Sequence, residues 1–187
     1  MTYKKASRAM WLEEALNLLE EKGEAALTIE RLCRKMRKTK GGFYHHFGDA
    51  EGLRKAILDH WEAAHTSALI DATELAAAEQ KKAVLDKMAN AANWGHERAI
   101  RRWAWADKRV RKRVAKVDER RIAYLTQFYP KASLERQRAL ATLEYAALVG
   151  AQHLFGFGDA PRGEESLALG ALLREALDRL QGEVNGE

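Results

Sequence analysis

Residues 39–47 read TKGGFYHHF. Phe43 and Phe47 stand one helical turn apart, which gives the segment the apolar spacing of a helix. Yet Gly41 and Gly42 sit inside it, and each glycine costs a helix interior about 1 kcal/mol relative to alanine. A helix that keeps two adjacent glycines, and places Tyr44 and His45 on the side away from the phenylalanines, uses its bare face for something other than its own stability. Glycine lets a backbone come close to another molecule.

Working outward, Thr39 is a good N-cap for this segment and Gly48 a good stop. Upstream, Thr28 caps a helix that carries Glu30 in its first turn and ends near Met36. Two short helices joined by about three residues make a helix-turn-helix. Its second helix presents Thr39, Lys40, Gly41, Gly42, Tyr44 and His45 on the side opposite Phe43 and Phe47. Between Arg31 and Gly48 there are six basic residues and no acidic one. Such a patch favours a polyanion, although a solvated helix face reads the same way on charge alone. Against DNA, Thr28, Thr39 and Tyr44 suit phosphate oxygens, which set register. Lys40 suits either a phosphate or a guanine edge, and His45 a base edge. Arg37 and Lys38 add charge in the turn. His45 and His46 are adjacent on a helix, point about 100° apart and have no third ligand in view, so no metal is expected.

The rest of the chain is helical too. Apolar residues recur at helical spacing, only two prolines occur, and β-branched runs are absent, so an all-α protein of about nine helices is expected. Helix 1 spans about Ser7 to Lys22. Asp49 caps helix 4, with Leu53, Ala56, Ile57, His60 or Trp61, and Ala64 inward. Helix 5 is expected from Leu75 to Trp94 and helix 6 from Glu97 to Ala106. Asp107 caps helix 7, which ends before Pro130. Ser133 caps helix 8, which carries Leu140, Leu143, Ala147 and Leu154. The stretch FGFGDAPRGEE is a loop, and helix 9 covers about Ser166 to Leu180. The apolar stripe of helix 9 is broad for a lone monomer, which favours self-association.

Net charge is +5 and the pI about 9.3. No apolar run is long enough for a transmembrane helix, and Met1–Trp11 lacks the apolar core of a signal peptide, so the cytosol is the expected location. Cys33 is the lone cysteine and lies on an apolar stripe with Ile29, Leu32 and Met36, as a core residue does. No phosphate-binding glycine loop, paired metal motif or nucleophile elbow is visible, so no enzyme and no cofactor are expected. From Arg98 to Arg121 eleven basic residues face three acids. Their charges go round much of helix 7, which favours a solvated face over a second nucleic-acid surface. Trp94, Trp105, Tyr124, Tyr145 and His153 are residue types that line small-molecule pockets, with core packing as the plainer reading of each. Arg121 lies on the apolar face of helix 7 and needs a partner there, either an internal acid or a ligand.

The stretch LTIERLCRKMRKTKGGFYHHFGDAEGL resembles the DNA-binding segment of TetR-type transcriptional regulators, position by position from Thr39 to Phe47. ALNLLEEKGEAALTIERL is similar to the family's helix 1 and entry to helix 2. The strong likeness covers about residues 8 to 60. RRWAWADKRVRKRVAKVDERRIAYL and YAALVGAQHLFG are similar to stretches in some members' C-terminal domains. The resemblance implies a DNA-binding domain at 1–49 and an effector-binding and dimerisation domain at 50–187, bridged by helix 4. It also implies a homodimer through helices 8 and 9 on a palindromic operator in double-stranded DNA, with repression released by a small-molecule effector. The competing expectation is a helical ligand-binding or adaptor protein that has lost specific DNA recognition. Two departures stand out. The family usually has a glycine and an aliphatic residue in the turn, where this chain has Arg37 and Lys38. It usually has a lysine near the start of helix 4, where this chain has Ala50.

Overall fold

The structure, a computed structural model, describes residues 7–155 and 164–182, and every regular element among them is helical. α1 is Arg8–Lys22, α2 Ile29–Met36 and α3 Lys40–Phe47. α4 begins as Ala50–Glu62, passes through one π-helical turn at Ala63–Ser67 and resumes as Ala68–Glu74. Next come α5 (Lys81–Ala91), α6 (Trp94–Ala106), α7 (Lys108–Leu125), α8 (Leu134–Leu154) and α9 (Glu164–Gly182). The described residues fall into two compact units, dividing between Val114 and Ala115 within α7.

The caps follow the sequence. Ser7 Oγ accepts from Met10 N at 3.2 Å, Thr28 Oγ1 from Arg31 N at 3.3 Å, Thr39 Oγ1 from Gly42 N at 3.3 Å and Asp49 Oδ1 from Gly52 N at 2.7 Å. Each satisfies an amide that the first turn of a helix leaves without a backbone partner. Asp107 Oδ1 does the same for α7, accepting from Arg109 N at 2.7 Å.

The expected helix 5 is corrected. The chain leaves helix at Leu75, makes a 3₁₀ turn at Ala78–Gln80, and Trp94 opens α6 instead of closing helix 5. Asn93 is the missed signal: its Oδ1 accepts from Gly95 N at 2.9 Å and His96 N at 3.3 Å, so α6 starts there. In α4 it is Trp61 that is buried, while His60 is half-buried and Ala64 is exposed. The loop expected around 156–163 lies outside the described residues.

The first unit is built round α1, whose Trp11, Leu12, Ala15, Leu16, Leu18 and Leu19 are all buried. Leu32, Phe43, Phe47, Leu53 and Ile57 from the next three helices are buried in the same unit, as are Ile100 and Trp103 from α6. Burying each large side chain contributes roughly 1.5–3 kcal/mol. Several polar groups inside this core are paired. The Trp61 indole N–H donates to Glu97 Oε2 at 2.8 Å, and Arg101 lies 3.1 Å from the other carboxylate oxygen. Arg102 Nη2 donates to the carbonyls of Leu19 at 2.7 Å and Glu20 at 3.1 Å, closing the C-terminal end of α1 from α6. In the second unit, Arg121 donates to the Tyr145 hydroxyl at 2.9 Å, which donates to Asp118 at 2.6 Å. The partner that Arg121 needed is therefore found inside the chain.

His96 is 2% exposed and shares a 2.8 Å hydrogen bond with Asn17 Oδ1, tying α6 to α1. Burial lowers its pKa below the ordinary 6.5, with Glu13 and Glu20 opposing the shift and His60 adding to it. Below the ordinary value the unfolded chain takes up a proton that the native site resists, so stability must fall as the pH drops. Thermal unfolding at pH 7.5 and 5.5 checks this: the wild-type midpoint falls further between the two than that of His96→Gln. Equal falls would place the acid sensitivity elsewhere.

Candidate nucleic-acid interface

α3 is held by its apolar side. Phe43 and Phe47 are buried, and the Trp11 ring meets both edge-on, with centroids 6.0 and 6.4 Å away. Aromatic pairs of this kind add about 0.5–1.5 kcal/mol beyond burial. With those two side chains inward, helix geometry turns the other side outward. Gly41, Tyr44 and His45 are exposed there, Tyr44 to 49%, and Gly42 is half-buried. His46 is half-buried, with its ring 6.0 Å from that of Phe47.

Nothing inside the protein requires the two glycines. A Cβ at Gly41 would meet only Thr39 Oγ1, at 3.8 Å. One at Gly42 would meet Thr39 Oγ1 at 3.8 Å and Trp11 Cζ2 at 3.9 Å, which are ordinary contacts. Neither position has a left-handed backbone. The bare patch therefore serves neither packing nor backbone geometry. Gly52 is the contrast: a Cβ there would lie 2.1 Å from the Phe47 carbonyl oxygen, so the corner between α3 and α4 needs a glycine.

The turn before α3 confirms one sequence departure as a physical cost. Arg37 adopts φ 52° and ψ 45°, the only left-handed non-glycine residue among those described. For a residue with a Cβ this costs roughly 1–2 kcal/mol. Its amide and that of Lys38 bond back to the end of α2, with Lys38 N 2.9 Å from Cys33 O. Arg37 is exposed and Lys38 half-buried. Cys33 is buried, and burial pushes its thiol pKa up, away from the reactive thiolate.

The charges divide into two sets. Lys35 lies 2.9 Å from both Glu14 and Glu21 and so ties α2 to α1 at the surface. Lys40 lies 2.8 Å from Glu30, a residue of the first turn of α2. That pair joins the first turns of α2 and α3 at the surface, and Thr28 and Thr39, both exposed, cap those two turns. Both threonine hydroxyls accept a capping bond and keep a hydrogen to donate, as a phosphate contact needs. Arg31, Arg34 and Arg37 are exposed, and no ion pair holds them among the described residues. Glu30 is the residue that sequence reasoning missed. It lies ten positions from Lys40 and reads locally as a dipole-favoured acid. Its hydrogen bond raises the Lys40 pKa, and the same bond lowers that of Glu30.

The six residues suggested for a ligand pocket are divided between the two units. Trp94 is buried, with its indole N–H on Ala89 O at 3.1 Å, and Trp105 is 83% exposed; both belong to the first unit. Arg121, Tyr124 and Tyr145 belong to the second unit, as does His153, which is exposed and bonds to Val149 O at 2.9 Å.

Residues 12–57 match the family described as bacterial regulatory proteins, tetR family. Over those residues the chain is similar to the N-terminal segment of that family. The match spans α1, α2, α3 and the start of α4, the elements that build and aim the glycine face. Among solved structures, a TetR-family transcriptional regulator from Marinobacter aquaeolei VT8 superposes with a TM-score of 0.71 at 14% identity, covering 95% of this chain and 98% of the other. That likeness is one of fold. A TetR-family regulator from Pectobacterium atrosepticum is 22% identical over 92% of this chain and 91% of its own, with a TM-score of 0.49. No curated protein matches the chain. No helix among the described residues is long and apolar enough to cross a membrane.

On a duplex, Glu30 would compete with a phosphate for Lys40. Glu30→Gln removes the competitor and a like charge beside the duplex, so it should tighten DNA binding at 100 mM salt. A variant that binds more weakly would show that Glu30 positions Lys40 instead of withholding it.

Proposed function

We propose that this protein is a sequence-specific DNA-binding transcriptional regulator that works as a cytosolic homodimer. The observation that carries the reading is the exposed Gly41 and half-buried Gly42 on a helix whose opposite side is locked to Trp11. Residues 1–49 act as the reading head. α3 lies in the major groove, where the bare patch brings backbone and Lys40 near the base edges. Thr28, Arg37, Lys38, Thr39 and Tyr44 meet flanking phosphates, and His45 faces a base.

Residues 50–187 supply the dimer and the control. Leu143 and Leu154 on α8, and Leu169 and Leu172 on α9, are 43–74% exposed. Apolar side chains on two neighbouring helices support a four-helix interface between copies. A two-fold dimer sets its reading heads about 34–36 Å apart on a palindrome.

Repression released by an effector is the mode we favour. The mechanical support is the corner between α3 and α4. Asp49 N donates to Phe47 O at 2.8 Å, and the Gly52 backbone lies against the same carbonyl. A tilt of α4 therefore carries α3 with it and changes the spacing of the heads. An effector's leverage is its difference in affinity between the two arrangements. The Arg121–Tyr145–Asp118 cluster, with Tyr124 on the same helix as Arg121, is the polar feature of the second unit suited to orient such a ligand.

Selection of duplexes from a random pool by the purified protein tests the reading. It should enrich a palindrome with half-site centres about 10 base pairs apart. Lys40→Ala should then flatten the salt dependence by about 0.9 per protomer if it meets a phosphate, or relax one position if it meets a base. A pool that stays random would favour the adaptor reading, which Lys40's pairing with Glu30 otherwise supports.

A further inference from the structure

The basic run from Arg98 to Arg121 is largely consumed inside the protein. Arg111 donates to the carbonyls of Ala104 at 3.0 Å and Trp105 at 2.9 Å, closing α6. Arg113 bridges Asp59 at 2.9 Å and Glu62 at 2.6 Å on α4. Arg102 closes α1. What remains outward at the beginning of α7 is Lys108, Arg109 and Lys112, all exposed. Lys108 and Lys112 are one turn apart, with Arg109 beside them.

This group lies beside the start of α4, with two contacts to it. Arg109 Nη1 lies 2.6 Å from Glu51 Oε1, in the first turn of α4. Asp107 Oδ2 lies 3.4 Å from Arg54 Nη1, one turn further on. The first turn of α4 directly follows α3 and Gly48. The start of α4 itself offers Asp49, Ala50 and Glu51, none of them cationic. A phosphate backbone passing there meets two carboxylates unless α7 supplies charge.

We propose that Arg109, with Lys108 and Lys112, extends the DNA interface onto the phosphates flanking the site read by α3. The proposal rests on the DNA-binding reading given above. The Arg109 side chain is 79% exposed and Glu51 62%, so their pair is an exposed one, of the kind worth little in water and readily shared. A guanidinium has five N–H donors, and one carboxylate oxygen occupies only part of them. Arg109 thus cancels Glu51 and still reaches a phosphate oxygen. The basic segment of α7 then divides by role: Arg111 and Arg113 bind the protein to itself, and the first turn binds the duplex.

The test is a salt titration, from 50 to 200 mM, of full-length protein on the duplex enriched by selection, carried with long flanks. Arg109→Ala should lower the slope of log K against log salt by about 0.9 per protomer, with Arg109→Lys restoring most of it. Glu51→Gln breaks the same ion pair but leaves the cation, and should tighten binding by about two- to fivefold. Those opposite signs establish a phosphate contact. If Glu51→Gln weakens binding as Arg109→Ala does, the pair only braces α4 and the proposal falls. It falls equally if Arg109→Ala matches wild type while Gly42→Leu abolishes binding, which leaves the reading head intact. If the wild type enriches no duplex, both fall together.

Discussion

The edge-on packing of Trp11 against Phe43 and Phe47 is the contact on which the interface depends. It fixes the rotation of α3 about its own axis. A helix of eight residues with two glycines has little intrinsic stability, and packing of its apolar side supplies what propensity does not. Once that side is committed, Thr39, Lys40, Gly41 and Tyr44 face outward without further instruction. Lys35, clamped between Glu14 and Glu21, gives α2 the same α1 reference that Trp11 gives α3. The two helices are thus registered to one scaffold, and the left-handed Arg37 joins them.

The scaffold continues into α4, α6 and α7. Trp61 and Arg101 satisfy the buried Glu97, and Arg54 lies over the Trp103 ring, 5.7 Å from its centroid, while pairing with Asp107. Arg113 holds Asp59 and Glu62. The buried Glu97 carboxylate would cost several kcal/mol with its partners removed, so that tie resists loosening. α4 is therefore gripped by packed charge pairs along its first half, and it turns into α3 through a corner that admits no Cβ at Gly52. Motion at one end of such an element reaches the other as displacement.

Much of this was legible in the sequence where the signal is local. Ser7, Thr28, Thr39 and Asp49 each announce a cap and each makes it, and the spacing of Phe43 and Phe47 gave the buried side of α3. Where the signal is non-local or weak, reading failed. Residues 72–78 are rich in alanine, so nothing marked the break at Leu75, and the π turn at Ala63–Ser67 leaves no trace in residue type. Asn93 is a capping residue type, and its Oδ1 makes the cap at the start of α6. Glu30's pairing with Lys40, and the capture of Arg113 by Asp59 and Glu62, join helices that sequence order keeps apart. The basic run could not be sorted into internal and external charges until those partners were placed.

The central claim is that Gly41 and Gly42 are kept for the approach of another molecule at the expense of the fold. Replacing both with alanine separates those two demands. The account predicts that Gly41→Ala/Gly42→Ala raises stability, by up to about 2 kcal/mol in denaturant unfolding, because each alanine favours helix and meets no obstacle. It predicts that the same variant loses most of its affinity for the selected duplex. A variant that is stabilised and binds DNA as tightly as wild type would contradict it.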